Sequence, residues 1–245
     1  MTTSPPEHKV SVRDTESERS AGENMEFSRE IELIRRVAND IPRESDMQGF
    51  LSHARVVSML SGLVAEELGL PEEECDDIRI AGMLHDIGKL TLSEQLYSHN
   101  EEMLGVEHTK YVRMHPAMGN ELLRNEGIYS EKIISYIACH HENCDGSGYP
   151  NHLEGDEIPF GARILRVCDV FAALTSNRSY RAAFGVDAAI EMMIEDVREY
   201  DMRVFLAFLS VVHKPEFAQV KTLIDMEQQL GLYNQEKLRR KANEQ

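Results

Sequence analysis

The chain has 245 residues, 42% of them apolar, which is enough for a real core and excludes wholesale disorder. With 43 acidic against 26 basic side chains its formal charge is −17, a field that repels DNA, RNA and anionic lipid. No run approaches the ~20 apolar residues of a membrane span, and the opening Met-Thr-Thr-Ser-Pro-Pro-Glu-His lacks the apolar segment of a secretory leader, so a cytoplasmic protein without membrane insertion is expected.

Residues 1–26 are polar, charged and proline-bearing, and read as a mobile tail. Ile31, Ile34, Val37, Ala38 and Ile41 then mark a short amphipathic helix that Pro42 should stop. A long helix is expected from Met47 to Leu70, with Phe50, His53, Val57, Leu60, Val64 and Leu68 recurring at three- and four-residue steps. Pro71 opens the next helix, with Glu72, Glu73 and Glu74 favourable in its first turn. It runs through Ile78, Ala81 and Leu84 into His85-Asp86, and Gly88 is expected to break it.

Residues 91–108 carry no clear period and suggest a loop over whatever lies beneath. Helices follow at about 116–124 and 130–141, then an irregular stretch from Glu142 to Pro159 rich in glycine, proline, Asn and Asp. Helices at about 160–175, 187–198, 201–213 and 216–230 complete the pattern, with a charged end at 234–245. The late apolar helices at 187–230 could serve as an interface with a second copy or a signalling partner. No strand pattern and no internal repeat stand out, so the fold class is all-α.

The chemistry concentrates in two doublets, His85-Asp86 and His140-His141, with His53, His115 and Asp169 as further potential ligands. Imidazole and carboxylate together suit iron, manganese or zinc, and one carboxylate can bridge two ions about 3.5–4 Å apart. Successive helical residues diverge by about 100°. A doublet therefore aims both side chains inward only at a helix end, which is where both doublets fall.

Asp169 sits in the otherwise apolar run Ile164–Leu174, where an uncompensated carboxylate would be costly. Any one of these histidines alone would more often be an ordinary core or surface residue; together they point to a metal site. Lys89 could merely cap a helix, and Arg178 and Arg181 could lie on a surface turn; the nearby cluster makes them phosphate-binding candidates. Of the four cysteines, Cys139 and Cys144 flank His140-His141, but without a CxxC spacing or a second thiol pair a zinc knuckle is weak, and reduced thiols are expected.

His85-Asp-Ile-Gly-Lys89, His115-Pro116, His140-His141, Asp145-Gly-Ser-Gly-Tyr-Pro150 and Val167-Cys-Asp-Val-Phe-Ala-Ala-Leu-Thr-Ser176 together resemble the HD-GYP subgroup of HD-domain phosphohydrolases, over roughly residues 53–208. The resemblance implies a helical HD-domain bundle, two or three metal ions (commonly iron or manganese), and hydrolysis of cyclic di-GMP to pGpG and often GMP. It implies His53, His85, Asp86, His115, His140, His141 and Asp169 as metal ligands, Asp86 bridging, and Lys89 on the scissile phosphate. Tyr149, within Gly148-Tyr149-Pro150, would pack near a guanine, and Arg178 and Arg181 would meet the substrate's phosphates or second nucleotide.

Three-metal members carry glutamate where this chain has Gly49, so two divalent ions are expected. Other departures are Arg181 where lysine is frequent, Asn143 after Glu142, and no proline-and-glycine motif between Lys89 and His115. The expected organisation is a tail at 1–26, a short helix within 27–44, a catalytic domain at 45–215 and a helical extension at 216–245. Input would then arrive through the tail, oligomerisation or another protein. The rivals are a catalytically weak cyclic-dinucleotide receptor or protein-interaction module of the same fold, and a phosphohydrolase acting on another cyclic dinucleotide or a nucleotide.

Overall fold

A computed structural model describes residues 27–38, 44–92, 110–177 and 181–229. The expected tail, the 93–109 segment, Arg178 and the charged C-terminus lie outside the described residues. Nine helices are labelled here in chain order: α1 Ser28–Val37, α2 Glu44–Glu67, α3 Glu72–Leu84, α4 Gly88–Thr91, α5 His115–Glu126, α6 Glu131–Ala138, α7 Phe160–Thr175, α8 Val186–Glu195 and α9 Met202–Val212. Residues 217–229 form a further helix. Among the described residues no strand forms, and β pairing is limited to isolated bridge residues such as the Asp145–Glu154 pair, so the fold is all-α.

α2 is the axis around which the bundle assembles. It packs against α3, α7 and α9, burying Val56, Val57, Leu60 and Val64 completely. Ser58 on α2 donates its hydroxyl to the carbonyl of Arg79 on α3, 2.8 Å away. α7 lays Phe171 against Phe208 of α9 and Phe217 of the last helix, with ring centroids 5.1 and 6.0 Å apart. Burying a side chain of that size stabilises the fold by about 1.5–3 kcal/mol. α1 adds Leu33 and Ile34 to the same core, and the last helix adds Val220 and Ile224.

Two helix boundaries depart from expectation. α1 ends at Val37, with Ala38 as its C-cap, before the weak helix formers Asn39 and Asp40 rather than at Pro42. Gly88 does not break a helix: α3 closes at Leu84, a turn carries His85–Ile87, and Gly88 opens α4. The reason is steric. A Cβ on Gly88 would strike the carbonyl oxygen of His115 and come within 2.6 Å of the Gly119 nitrogen, so glycine lets α4 lie directly on the start of α5.

Candidate metal centre

Six segments deliver the candidate side chains to one place. His53 comes from the middle of α2, His85 and Asp86 from the turn after α3, and Lys89 from α4. His115 starts α5, His140 and His141 occupy the turn after α6, and Asp169 projects from α7. The turn positions matter, because leaving the helix frees adjacent residues to aim the same way. His85, His115 and His140 are fully buried, while Asp86 and Asp169 are 6% and 8% exposed.

Asp86 divides the cluster. Its Oδ1 lies 3.2 Å from His115 Nε2 and 4.0 Å from His140 Nε2. Its Oδ2 lies 3.4 Å from His85 Nε2, 3.9 Å from His53 Nε2 and 2.6 Å from Lys89 Nζ. Asp169 faces His53 and His85 with Oδ1, at 3.0 and 3.6 Å, and the His141 Nδ1 with Oδ2, at 4.0 Å. Three candidate sets emerge, two of them sharing Asp86: Asp86 with His115, His140 and His141, Asp86 with His53 and His85, and Asp169 with His85 and His140.

Three imidazoles are locked from behind. His85, His115 and His140 each place Nδ1 on the carbonyl three residues earlier, those of Gly82, Val112 and Ile137, at 2.8, 2.5 and 2.6 Å. A carbonyl only accepts, so Nδ1 carries a hydrogen and Nε2 is the nitrogen turned to the cluster. His85 Nε2 and Asp86 Oδ1 are buried with no hydrogen-bond partner. Such atoms are costly unless something else satisfies them, and a divalent cation does so for imidazole and carboxylate together. The residues fit a metal.

Charge balance agrees. Burial opposes ionisation of Asp86, yet Lys89, His85 and His115 hold it well below the usual carboxylate range. Burial also works against a charged His85, but Asp86 and Asp169 outweigh it and push its pKa up to about 10. Burial, reinforced by the other imidazoles, drives His140 well below its ordinary value. Burial likewise takes His141 down to about 3 despite the opposing pull of Asp169. His140 and His141 are thus neutral, as a ligand must be, while cation uptake has to expel a proton from His85.

The Gly-Tyr-Pro loop closes over this centre. Gly148 is buried against the chain it follows: a Cβ there would hit the Asn143 nitrogen and lie 2.5 Å from the His141 carbonyl oxygen. The Tyr149 ring stacks on His141, with centroids 4.7 Å apart and planes 24° apart. Pro150 is exposed and follows a cis peptide bond. Glu142, buried beside His141, accepts hydrogen bonds from the backbone of Asn151 and Leu153 at 2.6 and 3.1 Å. Asn143 takes one from Arg166 at 2.7 Å, tying the loop to α7.

Arg181 is placed elsewhere. Its guanidinium donates to the carbonyls of Ala173, Leu174 and Ala182 at 3.0, 3.1 and 2.9 Å and lies over the Phe184 ring. It caps the end of α7, where orphan carbonyls favour a cation, and among the described residues nothing links it to the histidines. Lys89 also departs from its plain reading: rather than capping α3 it sits in α4 and pairs with Asp86. Arg113 was missed. It lies exposed with its guanidinium 5.3 Å from the Tyr149 ring centre, and only its position two residues before His115 could have drawn notice.

The family model described as HD domain matches residues 42–204. The cyclic di-GMP phosphodiesterase response regulator RpfG of Xanthomonas campestris is 40% identical over 66% of this chain and 42% of its own length. The 3'3'-cGAMP-specific phosphodiesterase 2 of Vibrio cholerae is 33% identical over 78% of this chain and 36% of its own. Bd1817, described as a HDG"Y"P protein from Bdellovibrio bacteriovorus, shares the fold with a TM-score of 0.54 at 18% identity, over 67% of this chain and 53% of that one. The chain spans well under half the length of the two sequence relatives.

Proposed function

The chain belongs to the HD domain family as an HD-GYP member, and from that premise we propose that it is a metal-dependent phosphodiesterase hydrolysing cyclic di-GMP to pGpG. The observation that carries this reading is Asp86, whose two oxygens face separate histidine sets and so suit a pair of divalent ions, iron or manganese. Bound there, the pair would supply Lewis-acid activation of the phosphodiester and of the attacking water. His53, His85, Asp86, His115, His140, His141 and Asp169 would hold the ions, with Asp86 shared.

The chain's own residues do the rest. Lys89, 2.6 Å from Asp86 and partly open to solvent, would meet the charge that grows on the non-bridging phosphate oxygens. Two divalent ions and Lys89 would outweigh the buried carboxylates of Asp86 and Asp169, so that the site would tolerate an anionic substrate inside a chain of charge −17. In-line displacement would release a ribose hydroxyl and leave the phosphate on the other nucleoside. Gly148, Tyr149 and Pro150 would border the base, and Arg178, with Arg181 only if it leaves its cap, would meet the second nucleotide.

A second substrate has support of its own. The relative that matches 78% of this chain is named for 3'3'-cGAMP, so that hybrid dinucleotide is the alternative. The four thiols, all free, suit a reducing cytoplasm. Among the described residues no helix is long and apolar enough to cross a membrane. The test is to load the protein anaerobically with iron or manganese and give it cyclic di-GMP and 3'3'-cGAMP separately. Linear product from cyclic di-GMP at the higher kcat/KM supports the proposal; tight binding without product from either refutes it.

A further inference from the structure

The five imidazoles of the centre are not held alike. His85, His115 and His140 are locked by a carbonyl three residues back. His53 rides inside α2 and touches Asp169 at 3.0 Å. His141 has neither device: it lies in the turn beyond α6, and among the described residues no hydrogen bond reaches its ring. An imidazole with no hydrogen bond to fix its χ angles spends ordering entropy each time it binds a cation.

The rings that meet it are those of two fellow candidate ligands, His140 at 4.0 Å and His115 at 4.9 Å, and, from outside the ligand set, Tyr149 at 4.7 Å and 24°. The contact is fixed at the backbone as well, because the Tyr149 N–H donates to the His141 carbonyl at 3.1 Å. The loop cannot drift from this pose: Gly148 is pressed against His141 and Asn143, and Glu142 grips Asn151 and Leu153 beyond the proline. Arg113 sits over the same phenol ring, 5.3 Å from its centre.

We propose that Tyr149 is the positioning residue of His141, and that the Gly-Tyr-Pro loop does for this imidazole what backbone carbonyls do for the other three. The loop then belongs to the metal centre's support as much as to any base it borders. This inference rests on the two-ion reading above. The stack uses the ring rather than the hydroxyl, for which no hydrogen bond appears among the described residues, so phenylalanine should serve as well as tyrosine.

The test is titration of metal-free protein with manganese(II) alone, followed by calorimetry and by counting bound manganese. Wild type takes two equivalents. Tyr149→Leu and Tyr149→Ala raise the dissociation constant of one equivalent about 10- to 100-fold and leave the other unchanged, while Tyr149→Phe behaves as wild type. Nitrogen NMR of the imidazoles adds a direct readout: the His141 signals broaden in Tyr149→Leu, and those of His85, His115 and His140 stay in place. If Tyr149→Ala does not fold, Tyr149→Leu carries the test through its retained apolar bulk. Two wild-type equivalents bound by Tyr149→Leu within twofold of wild-type affinity overturn the inference. If instead wild type itself takes fewer than two equivalents, the two-ion reading has failed.

Discussion

The buried cradle and the rim above it are built on different principles. In the cradle, most candidate ligands are placed by main chain: a turn after α3, a turn after α6, the first residue of α5, and three carbonyls that hold imidazoles from behind. At the rim, side chains hold side chains, as Tyr149 does His141, Arg166 does Asn143 and Asp145 does Ser147. Backbone placement survives a change of neighbour, whereas a stack or an ion pair does not. The cradle is therefore the part built for fixed chemistry, and the rim is where substrate preference can vary between members at low cost to the fold.

The largest expected effect is at the point where the two ligand sets meet. Asp86→Ala should abolish both manganese retention and hydrolysis, read by metal analysis and product chromatography. Normal turnover at normal metal content would refute its shared role. Lys89→Ala should keep its metal yet lose about 10²–10³-fold in kcat, because the ammonium acts on developing charge rather than on binding the ions. Equal loss of metal would instead make Lys89 part of the cradle.

At the rim the cost should appear as stability. Gly148→Ala forces a methyl into the Asn143 backbone, and unfolding in urea should show a loss of about 1–3 kcal/mol. Arg181→Ala should lower the melting temperature through the lost cap of α7, by the equivalent of about 0.5–2 kcal/mol, with KM little changed. A tenfold rise in KM at unchanged stability would move Arg181 from the helix end to the substrate.

The smallest effect concerns the far anchor of the loop. Burial opposes ionisation of Asp201, but Arg203 and Arg163 hold its carboxyl below the ordinary range, and Arg163 in turn grips the Ile158 carbonyl. A lowered folded pKa gives stability that is present above the unfolded carboxylate value and is lost as pH falls through the folded one. Asp201→Asn should therefore flatten the acid limb of a stability–pH curve; an unchanged slope would remove Asp201 from the anchor.

Much of the cradle was legible because its signals are local. Helical spacing ended at both doublets, and a carboxylate inside Ile164–Leu174 demanded compensation. Gly88 was misread because a glycine required by a neighbour 27 residues later looks the same, in sequence, as one that ends a helix. Arg181 and Arg113 were illegible for a related reason: an exposed arginine's partner depends on which carbonyls or rings the fold brings near it. The stacking of Tyr149 on His141 likewise arises only when the loop turns back across Gly148.

The measurement closest to the central claim is anomalous diffraction from metal-loaded crystals at the iron and manganese edges. Two peaks about 3.5–4 Å apart, one on each side of Asp86, are the expected result. A single peak, or a pair that leaves Asp86 outside the space between them, would contradict it.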